Sequence, residues 1–125
     1  MYLALHDNQL SNIGDIAKSF KVSRNHLVKV VHHLVQIKLL DSVRGRGGGI
    51  RLARDAHEIN IGDVLRHTEQ TLEIIDCNKP ACPLLPSCKL KRVLNDAKTA
   101  FFAVLDEYTV ADLTKNNKLL LKLIA

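Results

Sequence analysis

Val22-Ser23-Arg24-Asn25-His26-Leu27-Val28-Lys29-Val30-Val31-His32-His33-Leu34 sets the architecture. Ser23 is a helix-capping residue, and Leu27, Val30, Val31 and Leu34 follow at i, i+3, i+4 and i+7, the stripe of an amphipathic helix. Arg24, Asn25, Val28, Lys29, His32 and Lys38 fall on its other faces. Just upstream, Asn12 is placed to cap a shorter helix, with Asp15 at the capping-box position and Ile13, Ile16 and Ala17 facing inward. Phe20-Lys21-Val22 is the turn between them. Two short helices in tight succession, the second cationic near its start, form a helix-turn-helix pattern.

Beyond Leu39-Leu40 the period changes. Asp41-Ser42-Val43-Arg44 reads as a short strand, Gly45-Arg46-Gly47-Gly48-Gly49 as a turn, and Ile50-Arg51-Leu52 as a returning strand. Val43, Ile50 and Leu52 are expected to face inward and the arginines outward. Helix, turn, helix and basic hairpin follow in winged-helix order. Further on, Asn60 is expected to start a helix with Asp63 at its third position, burying Ile61, Val64 and Leu65. Lys89 to Tyr108 is expected to form a long helix with a near-continuous apolar stripe through Leu90, Val93, Leu94, Ala97, Phe101, Val104, Leu105 and Tyr108. Thr109 then caps a short helix over Val110 to Thr114. The expected fold is mainly α with a small β-hairpin: a winged helix-turn-helix plus a long C-terminal dimerisation helix. The division is 1–56 for DNA binding, 57–88 for a connecting helix and Cys-rich loop, and 89–125 for dimerisation. So long an apolar helix in so small a chain needs cover, and a second subunit is the economical source.

Length and charge narrow the function. The 125 residues suit one domain with a modest core of Leu, Ile, Val and Ala, since aromatics make up only 4%. No apolar run approaches the ~20 residues that cross a bilayer, and no leader is visible at Met1-Tyr2-Leu3-Ala4-Leu5, so a cytoplasmic location is expected. Met1 to Leu5 is helix-compatible but uncapped, as if the chain began inside a helix. Residues 1–55 hold nine Lys/Arg against four Asp/Glu, whereas residues 56–125 hold nine of each. The basic excess therefore sits wholly with the helix-turn-helix and hairpin, where a polyanion would be met. No nucleophile, base and orienting group occur together, so an enzyme is not expected.

Three features carry the candidate chemistry. Ser23, Arg24, Asn25 and Lys29 occupy the exposed start of the second helix, where an arginine can fork onto guanine, an asparagine onto adenine, and a helix N-terminus can meet phosphate. Arg44, Arg46 and Arg51 surround the glycine-rich tip, which suits a minor groove. A nucleotide-binding loop does not fit, because no Lys-Ser/Thr element or helix follows the glycines. Cys77-x4-Cys82-x5-Cys88 gathers all three cysteines among all three prolines, Pro80, Pro83 and Pro86. The odd count is a poor disulfide framework, and soft thiolates select zinc or an iron–sulfur cluster. The spacing leans toward a cluster because zinc favours Cys-x2-Cys pairs; zinc and unliganded, redox-active thiols stay open.

Taken together, Val22 to Val30, the hairpin Val43 to Leu52, Ile61-Gly62-Asp63-Val64, the Cys-x4-Cys-x5-Cys segment and Tyr108-Thr109-Val110-Ala111-Asp112-Leu113 resemble the winged-helix iron–sulfur regulators. The likeness runs along essentially the whole chain and is stronger to their nitric-oxide-sensing repressors than to their cluster-biogenesis regulators. The latter have a wider first Cys gap and a His where Lys91 stands. The resemblance implies a homodimer on a palindromic operator in double-stranded DNA. It also implies an iron–sulfur cluster, 2Fe–2S or 4Fe–4S, on Cys77, Cys82 and Cys88, and nitric oxide as the signal that releases the DNA and derepresses detoxification genes. Family members begin with a further helical stretch that in some of them carries an Asp completing the cluster of the partner subunit. Neither Asp7 nor Asp76 matches that position, so the resemblance implies a shortened chain lacking that fourth ligand.

Overall fold

The computed structural model describes residues 1–6 and 9–124. Helix α1 (Tyr2–Leu5) starts without a side-chain cap, and the His6 ring donates back to the Tyr2 carbonyl at 2.8 Å. Helix α2 (Ile13–Ser19) is capped by Asn12, whose side chain accepts from Gly14 N at 2.7 Å rather than from the Asp15 amide. Asp15 instead faces Lys18 at 4.0 Å. A turn through Lys21, with φ of 53°, leads to α3 (Arg24–Gln36), capped by Ser23. The mainly helical fold with its hairpin is thus the one that the periodicities imply.

Strands β1 (Leu40–Val43) and β2 (Gly49–Leu52) pair antiparallel with Leu40 opposite Leu52 and Ser42 opposite Ile50. This register corrects the expected position of Val43. Side chains alternate along a strand, so Leu40 and Ser42 share the inner face with Ile50 and Leu52. Val43 falls outside and is 43% exposed. Ser11 adds a further bridge to Ile50, exchanging bonds of 2.9 Å in both directions. At the tip, Gly45 and Gly47 take φ of 100° and 79°, a region open to glycine, and a Cβ on Gly48 would run into the Val43 carbonyl.

Helix α4 (Ile61–Thr68) is capped by Asn60, whose oxygen accepts from Asp63 N at 3.1 Å. Ile61, Val64 and Leu65 are half-buried rather than buried. A loop with a short 3₁₀ turn at Leu85–Ser87 leads to α5 (Lys89–Asp106), followed by α6 (Val110–Thr114) and α7 (Lys118–Ile124). Thr109 and Asp112 form a full capping box on α6. The core joins Leu3, Ile16, Val31, Leu40, Ile50, Leu52, Ile59 and Val110. Helix α6 therefore returns to the winged unit, pinned by Val110 N donating to the Ile59 carbonyl and Ile61 N to that of Tyr108, both at 2.9 Å. Two expectations shift. Val30 is 37% exposed, and Val31 alone of the α3 stripe is buried. Helix α5 ends at Asp106, before Tyr108, and buries none of its residues.

Candidate nucleic-acid interface and cysteine loop

Ser23 breaks the extended turn and accepts from His26 N at 3.5 Å, which starts α3 with its first turn facing solvent. Arg24, Asn25 and Lys29 are all exposed there. Arg44 and Arg46 are exposed at the wing tip. Among the described residues, none of these five side chains forms an ion pair, so their donors are available to an outside anion. Arg51 differs. It lies directly opposite Asp41 in the hairpin, and its Nε approaches that carboxylate at 3.6 Å. Sequence reasoning missed this pairing, although two opposite charges on facing strands are its usual signal.

The cysteine loop follows α4. All three thiols are free; Cys77 is buried, and Cys82 and Cys88 are half-buried. Asp76 accepts from Asn78 N at 2.9 Å, and Cys82 N donates to the Cys77 carbonyl at 2.9 Å, closing the first half of the loop. Leu85 N then donates to the Cys82 carbonyl at 3.1 Å. Cys88 is the cap residue of α5, and its side chain makes no capping bond. The donor chemistry suits a soft metal centre: three thiols on one short loop, without competing cross-links. Among the described residues, no group of three or more His, Cys, Asp or Glu stands ready to hold a metal ion. Asp76 is engaged within the loop. Asp7 lies outside the described residues.

Helices α4 and α5 meet through polar contacts that the sequence analysis did not single out. Arg66 donates to Asp106 through both arms of its guanidinium, each at 2.7 Å, and to Asp63 at 3.3 Å. The bond from Arg66 holds the Asp106 carboxyl below the usual carboxylate range, and the same bond raises the Arg66 guanidinium. The Thr109 hydroxyl and amide likewise lower Asp112. Lys98 on α5 reaches Glu73 in the loop at 2.9 Å. One residue beyond Arg66, in the same last turn of α4, the His33 ring donates to the His67 carbonyl at 2.8 Å, tying α3 to α4.

No described helix is long and apolar enough to cross a membrane. Residues 1–116 match the family model Rrf2, described as an iron-dependent transcriptional regulator. The chain is 49% identical to the HTH-type transcriptional regulator NsrR of Bacillus subtilis (strain 168), covering 93% of this chain and 82% of the relative. It is 46% identical to the NsrR of Oceanobacillus iheyensis, covering 94% and 82%. Among solved structures, IscR of T. potens is similar at a TM-score of 0.74 and 28% identity, covering 94% of this chain and 79% of the other. CymR of Staphylococcus aureus is similar at 0.70 and 28%, covering 91% and 87%. These relatives are transcriptional regulators, not enzymes.

Proposed function

The chain belongs to the Rrf2 family of winged-helix transcriptional regulators, and we propose that it is a homodimeric repressor sensing nitric oxide through an iron–sulfur cluster on Cys77, Cys82 and Cys88. One observation carries this reading: three free thiols share a loop whose last cysteine caps the 18-residue helix α5. The likeness to regulators named NsrR supports nitric oxide as the signal. In this reading residues 1–56 bind DNA, 57–88 carry the sensing loop and 89–125 dimerise, in the cytoplasm.

When bound, the cluster supplies iron that reacts with nitric oxide, and its four-ligand demand leaves one donor to come from outside the three thiols. The remaining work falls to the chain. Arg24 forks onto guanine O6 and N7, Asn25 onto adenine, and Lys29 reaches guanine or phosphate, while Ser23 and the start of α3 hold a phosphate. Arg44 and Arg46 enter the minor groove, with Arg51 steadying the wing against Asp41. The exposed stripe Leu90, Val93, Phe101, Val104 and Tyr108, between 44% and 60% open, is covered by the same stripe of a second copy. Gathering the sulfurs fixes the entry to α5, and letting them go frees it. Half-sites about 34–36 Å apart tolerate little change in the separation of two recognition helices. A coupling of about 1–3 kcal/mol changes affinity about 5- to 150-fold.

Anaerobic purification with iron and sulfide counts, followed by operator binding before and after nitric oxide, tests the proposal. The expected result is a coloured protein that binds the operator and loses it on exposure, with Cys82→Ser losing both iron and response. A colourless protein with stoichiometric zinc, or a Cys82→Ser variant with undiminished response, refutes it.

A further inference from the structure

We propose that Arg66, Asp106 and Gly62 form a clamp that sets the angle between the winged unit and α5, and with it the half-site spacing the dimer accepts. The inference rests on the homodimeric, DNA-binding reading above. Arg66 projects from α4, and Asp106 is the last residue of α5. Their contact is a fork on a fork, with two parallel bonds of 2.7 Å. Such a pair fixes orientation as well as distance. The guanidinium also lies over the Phe102 ring, 4.6 Å from its centre, which fixes its plane. Gly62 completes the seat. A Cβ there would collide with the Asp106 carboxylate, so a side chain at this position pushes Asp106 off its seat against Arg66.

Backbone and cap bonds extend the joint. Asn60 Nδ2 donates to the Asp106 carbonyl at 2.7 Å, and Ile61 N donates to that of Tyr108 at 2.9 Å. One residue on from Arg66, the bond from the His33 ring to the His67 carbonyl holds α3. The last turn of α4 is therefore bonded both to the recognition helix and to the proposed dimer helix. The clamp side chains are 34% and 42% exposed, and exposed pairs add little stability. Their geometry points to positioning: one angle is held at small energetic weight, so its loss leaves the fold intact.

The test uses the full chain and its Arg66→Gln, Arg66→Lys and Gly62→Ala variants on a panel of operators whose half-sites are moved apart or together by one base pair. Discrimination between the best and the shifted spacing is expected to fall from about tenfold to about twofold in Arg66→Gln and Gly62→Ala. Arg66→Lys, which keeps the charge and loses the fork, is expected to lie between. Affinities reduced by one common factor at every spacing, or unchanged discrimination in a folded Arg66→Gln, overturn the inference. Amide exchange at Ile61 and Val110 provides a readout without DNA. It quickens in Arg66→Gln if the clamp holds the joint, and wild-type rates overturn the proposal. If the wild type binds every spacing equally, the inference is overturned; if it binds none of the operators, the homodimeric DNA-binding reading fails instead, and the exchange rates alone decide whether Arg66 holds the joint.

Discussion

Asn60 makes two bonds with one side chain, and replacing it separates them. Its oxygen accepts from Asp63 N at 3.1 Å, capping α4, and its nitrogen donates to the Asp106 carbonyl at 2.7 Å, across to the end of α5. Losing a cap costs about 1 kcal/mol, and losing one further hydrogen bond costs about 1 kcal/mol. Asn60→Ala is therefore expected to destabilise by about 2 kcal/mol, and in a chain of this size about 1 kcal/mol lowers the melting temperature by about 4 °C. Asn60→Ser retains the cap but is too short to reach Asp106, so about half the loss is expected. Urea denaturation at one fixed protomer concentration measures both, since association would otherwise shift the midpoints. The slope with denaturant should stay unchanged, because no large surface is exposed by either change. The reasoning fails if Asn60→Ala lies within about 0.5 kcal/mol of wild type, the ordinary scatter of surface changes. It fails in its second half if Asn60→Ser is as stable as wild type.

Acid titration checks the capping box on α6. The Thr109 hydroxyl and amide lower Asp112, so its stabilisation is fully present above the ordinary carboxylate pKa of about 3.9 and is lost as pH falls through the lowered folded value. Melting temperatures below about pH 4 should fall less steeply in Asp112→Asn than in wild type; equal slopes would contradict the assignment. Gly48→Ala places a Cβ against the Val43 carbonyl and is expected to destabilise the hairpin by about 1–3 kcal/mol, with weaker operator binding measured alongside. Arg24→Ala and Arg46→Ala should each lose about 1–3 kcal/mol of operator affinity in a fluorescence titration at fixed salt, while Arg51→Ala, already engaged with Asp41, loses less.

The caps were legible because each is a single residue type followed by the right period: Asn12, Ser23, Asn60 and Thr109 all cap the helices expected of them. The wing was legible in its glycines, which leave the chain few other uses at that density. Val43 was not, because strand parity is fixed by where pairing begins. Pairing begins at Leu40, one residue earlier than the composition suggests. Arg66 and Asp106 stand forty positions apart and each is an ordinary surface residue by type. Nothing local marks them as partners. The bond from His33 to His67 has the same character, for its acceptor is a backbone carbonyl that any residue carries. Of the candidate site, the residue types and their clustering could be read, whereas the separation of the thiols depends on the loop's backbone path.

Helix α5 begins at the cysteine loop and ends at Asp106. Its 18 residues make a rod about 27 Å long at 1.5 Å per residue. Pivoting such a rod by about 5° at its cysteine end swings the opposite tip through about 2 Å. Added to contacts of 2.7 Å, that travel carries both arms of Arg66 beyond hydrogen-bonding reach. A tug too small to unwind a single turn at Cys88 is thus magnified, mechanically, into a broken linkage at the far end of the helix.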